Sequence, residues 1–249
     1  MSRILLIGAG QRIVYAMAEA LAAEGHELCL HYRQSQAATE ALVARIEAAG
    51  GRAVALPADL ADPEAPGELI EQARKALGPL DHLINNAAIY EPDQLESFTA
   101  ASWDRNLAIN LRAPALLCQA FLRQLPPQAE GSIINLLDTR VAAPLAGDFL
   151  SYTVSKAALA ALTRMLAVEL APRVRVNGIA PGLTLPSNGQ TQAEFEAAQA
   201  AAPLGRGADL EDILRALRYL MEAAPVTGQI LYVDGGERFH GRALDSRGV

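Results

Sequence analysis

Arg3-Ile4-Leu5-Leu6-Ile7-Gly8-Ala9-Gly10-Gln11-Arg12-Ile13-Val14 decides the fold. Arg3 to Ile7 is apolar and branched enough to read as a strand buried on both faces, the mark of a parallel sheet. Glycines break it, and helical spacing then runs from about Arg12 to Glu24. The same unit repeats outward. Strands are predicted at Glu27–Tyr32, Arg52–Pro57, Leu80–Asn85, Gly131–Leu137, Arg173–Ile179 and Gln229–Val233. Helices are predicted between them at about Gln36–Ala49, Glu64–Leu77, Ser102–Leu125, Ser151–Leu170, Gln192–Ala201 and Ala208–Ala223. Strand–helix alternation of this kind implies right-handed crossovers and one parallel sheet covered on both faces. Ligands on such sheets lie beyond the carboxyl ends of the strands.

Composition agrees. The chain has 249 residues, 51% hydrophobic and 20% charged, with a net charge of −7. That many apolar residues exclude disorder. A pI near 5.2 excludes the basic face that nucleic acid needs. No apolar run approaches the roughly 18–20 residues of a membrane span. The four apolar residues after Arg3 are too few for a signal-peptide core. Cys29 and Cys118 lack metal-ligand spacing and read as buried thiols of a reducing cytoplasm. No linker or repeat appears, so residues 1–236 read as one domain, with 183–207 as a substrate lid and 237–249 as a polar tail.

The Gly8 turn suits a pyrophosphate, whose oxygens need close backbone N–H groups. Gly8 and Gly10 match the glycine-rich fingerprint only in part, and a plain strand-to-helix turn is the alternative. Val14 at the close-packing position would push the helix off the strand. After the second strand, Arg33 and Ser35 stand where an acidic residue would favour NAD, and they suit a 2′-phosphate. Arg33 is otherwise a solvated loop residue. Asp59 could accept from an adenine amino group or cap its own turn.

Tyr152 and Lys156 share a helix face. With six Tyr and two Lys in the chain, a chance Tyr-x-x-x-Lys has odds of about 5%. A phenol beside an ammonium can lose its proton nearer neutral pH. Asp138, just past the fifth strand, could relay a proton to such a tyrosine or simply cap a turn. Asn110 could order a water chain to Lys156 or face solvent.

In order along the chain, Gly8, Asp59-Leu60, Asn85-Asn86-Ala87, Asn110, Tyr152-x-x-x-Lys156, Pro181-Gly182 and Val233-Asp234-Gly235-Gly236 resemble the short-chain dehydrogenase/reductase family. The resemblance implies a Rossmann-type doubly wound parallel sheet of about seven strands, helices on both faces, and NAD(P)-dependent hydride transfer. It also implies a tetrad of Asn110, a serine, Tyr152 and Lys156. Here Asp138 stands at the serine position, as in the pteridine reductases and dihydromonapterin reductases. The Gly8-Ala9-Gly10-Gln11-Arg12-Ile13 loop and His31-Tyr32-Arg33-Gln34-Ser35 are similar to theirs, and Tyr90 falls where they place a stacking ring. Ile7 and Val14 depart from the family's threonine and closing glycine.

The expectation is therefore an NADPH-dependent reductase, with NADH the poorer donor, acting on a pterin-like C=N bond. The resemblance gives the cofactor to Gly8, Gly10, Arg12, Ile13, Arg33, Ser35, Asp59, Leu60, Asn86, Ala87, Tyr152, Lys156, Pro181, Gly182 and Thr184. It gives the substrate to Arg12, Tyr90, Asp138 and Tyr152, and proton transfer to Asp138, Tyr152, Lys156 and Asn110. A reductase of 3-oxoacyl or sugar ketones and a non-catalytic nucleotide sensor or scaffold are the alternatives. The small-residue faces of 102–125 and 151–170 suggest a homotetramer.

Overall fold

The computed structural model describes residues 1–9, 12–143, 148–186 and 189–239. Seven parallel strands form a single sheet in the order β3-β2-β1-β4-β5-β6-β7. They are β1 (Arg3–Ile7), β2 (Glu27–Tyr32), β3 (Arg52–Pro57), β4 (His82–Asn85), β5 (Gly131–Leu136), β6 (Val174–Pro181) and β7 (Ile230–Val233). Helices α1 (Arg12–Ala23), α2 (Gln36–Ala48), α3 (Ala65–Leu77), α4 (Ala100–Leu107), α5 (Ala113–Gln124), α6 (Leu150–Glu169), α7 (Gln192–Ala200) and α8 (Leu210–Glu222) lie between them.

The period of two along β1 divides the core. Ile4 and Leu6 join Val14, Met17 and Leu21 of α1 and Leu217 and Leu220 of α8 on one face. Leu5 and Ile7 join Leu69 and Ala73 of α3 and Leu117 and Phe121 of α5 on the other. Each such fully buried Leu or Ile contributes about 2 kcal/mol. Val14 is absorbed into this core rather than forcing α1 off the sheet. Ile7 is likewise buried. Both cysteines are buried and unbridged, and burial pushes each thiol up to about 12.

The sheet order reverses between β1 and β4. Ile7 pairs with Asn85, so the Gly8 and Asn86 turns leave the sheet side by side. This switch point opens the cleft.

The structure corrects several boundaries. The helix expected over 102–125 starts at Ala100 and is interrupted by a π-helical turn, Ala108–Arg112. β4 starts at His82, because the Gln124 amide takes both main-chain groups of Leu80 at 2.9 and 3.0 Å. β6 runs on to Pro181, which pairs with Val233 of β7. The supposed tail begins as a 3-10 turn, Glu237–Phe239, packed on the domain. Glu237 accepts the Leu183 N–H at 3.1 Å, and Arg238 pairs with Asp234 at 2.8 Å. The rest of that tail lies outside the described residues. Among the described residues no helix is long and apolar enough to cross a membrane.

Candidate active site

Gly8 has φ +85°. A Cβ there would also lie 3.1 Å from the Ala87 Cα. Both the left-handed turn and the contact between the β1 and β4 exits therefore require glycine. The turn is held by a residue to which the sequence gave no such role. The Gly8 N–H donates to His31 Nδ1 at 3.1 Å, and His31 Nε2–H donates to the Ala58 carbonyl at 3.1 Å. These partners fix a neutral tautomer, and burial holds the imidazole pKa below its ordinary value. One ring thus ties the exits of β1, β2 and β3.

Above it opens a cavity of about 400 Å³. Gly8, Ile13, Arg33 and Ser35 line it, as do Asp59, Leu60, Asn86 and Ala87. Asp59 Oδ1 accepts the Ala61 N–H at 3.0 Å, so it caps its turn and borders the cavity at once. The Ser35 hydroxyl makes no cap bond to α2, and Arg33 spends one donor on a long 3.4 Å contact to Gln34. Both keep donors for an anion. Gly10 and the Arg12 side chain lie outside the described residues.

Pro181, Gly182 and Thr184 cluster instead at the exit of β6. A Cβ on Gly182 would come within 2.6 Å of Glu237 Oε2 and 2.8 Å of Asp234 Cβ. The Thr184 hydroxyl turns back to the Gly182 carbonyl at 3.0 Å. Asp234 accepts the Thr139 hydroxyl at 2.9 Å, the Gly236 and Arg238 N–H groups, and the Arg238 guanidinium. Burial opposes its ionisation, but these donors outweigh burial and hold the carboxyl below its usual range. The closing Asp-Gly-Gly motif is thereby nailed to the residue that follows Asp138.

The chemical end is built from buried side chains. The Tyr152 hydroxyl donates to Asp138 Oδ2 at 2.9 Å, while Asp138 Oδ1 accepts the Arg140 N–H at 2.8 Å. Asp138 is therefore both a turn cap and the partner of the tyrosine. Lys156, 3% exposed, donates to the Leu136 carbonyl at 2.6 Å. Burial lowers its pKa to about 8, against the opposing pull of the Asp138 charge. The expectation that lysine would lower the Tyr152 pKa is corrected. Burial, then the Asp138 charge and hydrogen bond, push the phenol well up. Lys156 Nζ is 5.9 Å from the ring centroid and gives one of its three donors to the Leu136 carbonyl rather than to the phenol. The phenol is kept protonated beside a carboxylate, which suits a proton donor.

Asn110 is fully buried, which excludes the solvent-facing alternative. It sits in the π-turn, a distortion common at functional sites. Its amide clamps both main-chain groups of Ile89, at 2.9 and 3.0 Å, and donates to Ser155 Oγ at 3.0 Å. It thus fixes the loop that carries Tyr90 against α6. A second buried chain, Asn85 to Asn135 to Thr163, fastens α6 to β4 and β5 with two 2.9 Å bonds.

The Tyr90 ring is stacked on Phe149, centroids 3.9 Å apart, and meets Tyr152 edge-on at 4.7 Å. Phe149 has φ +79°, which costs a non-glycine residue about 1–2 kcal/mol. Asp93 supports this corner. It accepts the Ser151 N–H at 3.0 Å and the Ser151 hydroxyl, and its carbonyl takes the Leu150 N–H. Sequence reasoning missed Phe149, Asp93, Ser155 and Arg140. Only the nearness of Phe149 to Tyr152, and of Arg140 to Asp138, could have flagged two of them.

A doubly wound sheet with a glycine turn at its switch point and a buried Tyr-Lys pair beyond β5 defines a dinucleotide-dependent oxidoreductase. Residues 8–238 match the family model described as Enoyl-(Acyl carrier protein) reductase. The chain belongs to the short-chain dehydrogenase/reductase family. It is similar to the FolM alternative dihydrofolate reductase 1 of Brucella canis, solved in complex with NADP, at 38% identity and TM-score 0.92. That match covers 98% of this chain and 97% of the other. It is 34% identical to a 3-oxoacyl-[acyl-carrier-protein] reductase of Synechocystis, over 93% of this chain and 95% of that protein. It is 31% identical to the 5-keto-D-gluconate 5-reductase of Escherichia coli, over 94% of each. The family's chemistry and the intact Tyr152-Lys156 pair set aside the non-catalytic alternative.

Proposed function

We propose that this protein is an NADPH-dependent reductase of a pterin-like C=N bond, converting a dihydropterin to a tetrahydropterin. The observation that carries this reading is the 2.9 Å hydrogen bond from Tyr152 to Asp138 at the position of the family's serine. The likeness to the Brucella dihydrofolate reductase supports it. A ring nitrogen that gains a proton suits a phenol–carboxylate pair, since the carboxylate can pass on a proton taken from water.

The residues fit the cofactor. The Gly8–Ala87 contact leaves room that a Cβ would fill, and Arg33 and Ser35 offer unused donors for a 2′-phosphate. By the family resemblance, Lys156 would hold the ribose and Thr184 the carboxamide, with Gly10 and Arg12 assigned to the phosphates from sequence alone. When bound, NADPH supplies the hydride. Tyr152 delivers one proton to the substrate nitrogen, Asp138 restores it, and Asn110 keeps the Tyr90 loop and α6 in register. A flat substrate ring competes with Phe149 for Tyr90. Residues 183–207 act as the lid. The protein works in the cytoplasm as a homotetramer. The exposed Val154, Met165 and Val168 of α6 support such an interface, which a monomer mass in light scattering would refute.

The Tyr-Lys pair equally supports a carbonyl reductase, the reading favoured by the 3-oxoacyl and ketogluconate relatives. Steady-state NADPH oxidation with dihydropterins and with ketones separates the two. Dihydropterins should give the higher kcat/KM, and a marked preference for ketones would overturn the pterin reading.

A further inference from the structure

The Arg140 charge opposes burial and Asp138 at the Tyr152 phenol, but its guanidinium bonds to neither side chain of that pair. Arg140 follows the Asp138 turn and makes no ion pair among the described residues. Its guanidinium lies 5.9 Å from the Tyr90 centroid and 5.2 Å from that of Phe149. Its side-chain bonds are a 3.2 Å contact to the Tyr90 hydroxyl and a 3.5 Å contact to the Asp148 carbonyl. Both exceed the 2.7–2.9 Å typical of a charge-assisted bond. The nearest carboxylate in sequence, Asp138, turns its two oxygens to the Tyr152 hydroxyl and the Arg140 main chain instead. Arg33, Arg112, Arg173 and Arg175 likewise bond only to neutral oxygens among the described residues, so what sets Arg140 apart is its place beside the Tyr152–Asp138 pair.

We propose that Arg140 is a specificity residue that binds a carboxylate on the substrate. The inference rests on the reductase reading above and deepens it. Two aromatic rings hold the planar guanidinium in place, so little freedom is lost when it grips a planar anion. The charge also has a reason to be there. A substrate bearing a carboxylate must approach Asp138 in a chain of net charge −7, and the adjacent cation offsets that repulsion. The Arg140 guanidinium, 5.9 Å from the Tyr90 centroid and 5.2 Å from that of Phe149, is within reach of the tail of a substrate ring seated on Tyr90.

The test uses substrate pairs that differ in one charge-bearing group. Dihydrofolate carries carboxylates on its tail, and dihydrobiopterin carries none. Wild-type protein should prefer dihydrofolate through KM rather than kcat, and the preference should shrink as salt rises. In Arg140→Gln the ratio of the two kcat/KM values should fall about tenfold, with partial recovery in Arg140→Lys. A merely structural Arg140 that props Tyr90 would move both substrates alike, and an unchanged ratio overturns the proposal. If neither pterin is reduced, the pterin reading fails on its own. The ratio is then read with 5-keto-D-gluconate and its methyl ester, and no preference for the free acid there overturns the role of Arg140.

Discussion

The two ends of the cleft are made of different material. At the exits of β1, β2 and β3 the main chain does most of the work. Gly8, Ala9 and Ala58 are tied to His31, and the side chains that face the cavity keep unused donors. At the exits of β5 and β6 the work passes to buried side chains with defined partners. Asp138, Tyr152, Lys156, Asn110 and Asp234 each have one. The first end leaves side-chain donors open for a ligand to take. The second holds a proton-transfer pair whose geometry must be fixed before anything binds. Substitutions should therefore cost more at the second end.

The largest effect falls on Tyr152. Tyr152→Phe removes the proton donor and should lower kcat by about 10²–10⁴-fold in steady-state NADPH oxidation. Asp138→Asn sharpens the same point through the pH profile. In the wild type, kcat/KM should fall as pH rises through about 8, where Lys156 loses its charge. The Asp138 charge raises the pKa of both Lys156 and Tyr152, so its removal should move that limb to lower pH. A limb that stays in place or moves up would contradict the arrangement.

Stability offers the next contrast. Asp234 is 3% exposed and receives donors from Thr139, Gly236 and Arg238. Asp234→Ala strands a guanidinium and a hydroxyl, at about 3 kcal/mol, and should lower Tm by about 6–12 °C in a thermal melt. Asp59→Ala loses a turn cap at the edge of an open cavity and should cost about 1 kcal/mol or less. Equal losses would mean that the two ends are not differently built.

The same contrast explains what could be read from the chain. The parallel sheet was legible because Ile4 to Ile7 and their counterparts alternate with helical spacing, and both signals are local. Tyr152, Lys156 and Asp138 were legible because the chemistry depends on which side chain stands at a fixed spacing. The direction of the Tyr152 shift was not, since it depends on burial and on where Lys156 points. Thr139 and Asp234 are 95 residues apart, and no local pattern pairs them. Asn110 advertised itself as a polar residue inside a helix, but only the π-turn shows that it clamps Ile89. Phe149 was illegible because a left-handed aromatic has no sequence signature.

A smaller effect is expected from Arg33, since it meets only part of a ligand that the main chain also holds. Arg33→Gln should raise the KM for NADPH by about 10–100-fold and leave that for NADH nearly unchanged. A parallel rise for both would place Arg33 away from the 2′-phosphate.

The smallest effect tests whether the nucleotide end has any fixed side chain at all. His31 accepts the Gly8 N–H on Nδ1, which is possible only while the ring is neutral. Its folded pKa lies below 6.5 and its unfolded value near 6.5, so the contribution is complete above that pH and is lost as pH falls through the lower folded value. Protonation would set an N–H against the Gly8 N–H and loosen the turn that carries the pyrophosphate. NADPH affinity, read by fluorescence titration, should therefore weaken by roughly a few-fold between pH 7 and pH 5. His31→Asn keeps an acceptor for Gly8 and cannot titrate, so its affinity should be flat across that range. If the wild type is equally flat, the Gly8 turn does not depend on the imidazole, and the nucleotide end is main chain throughout.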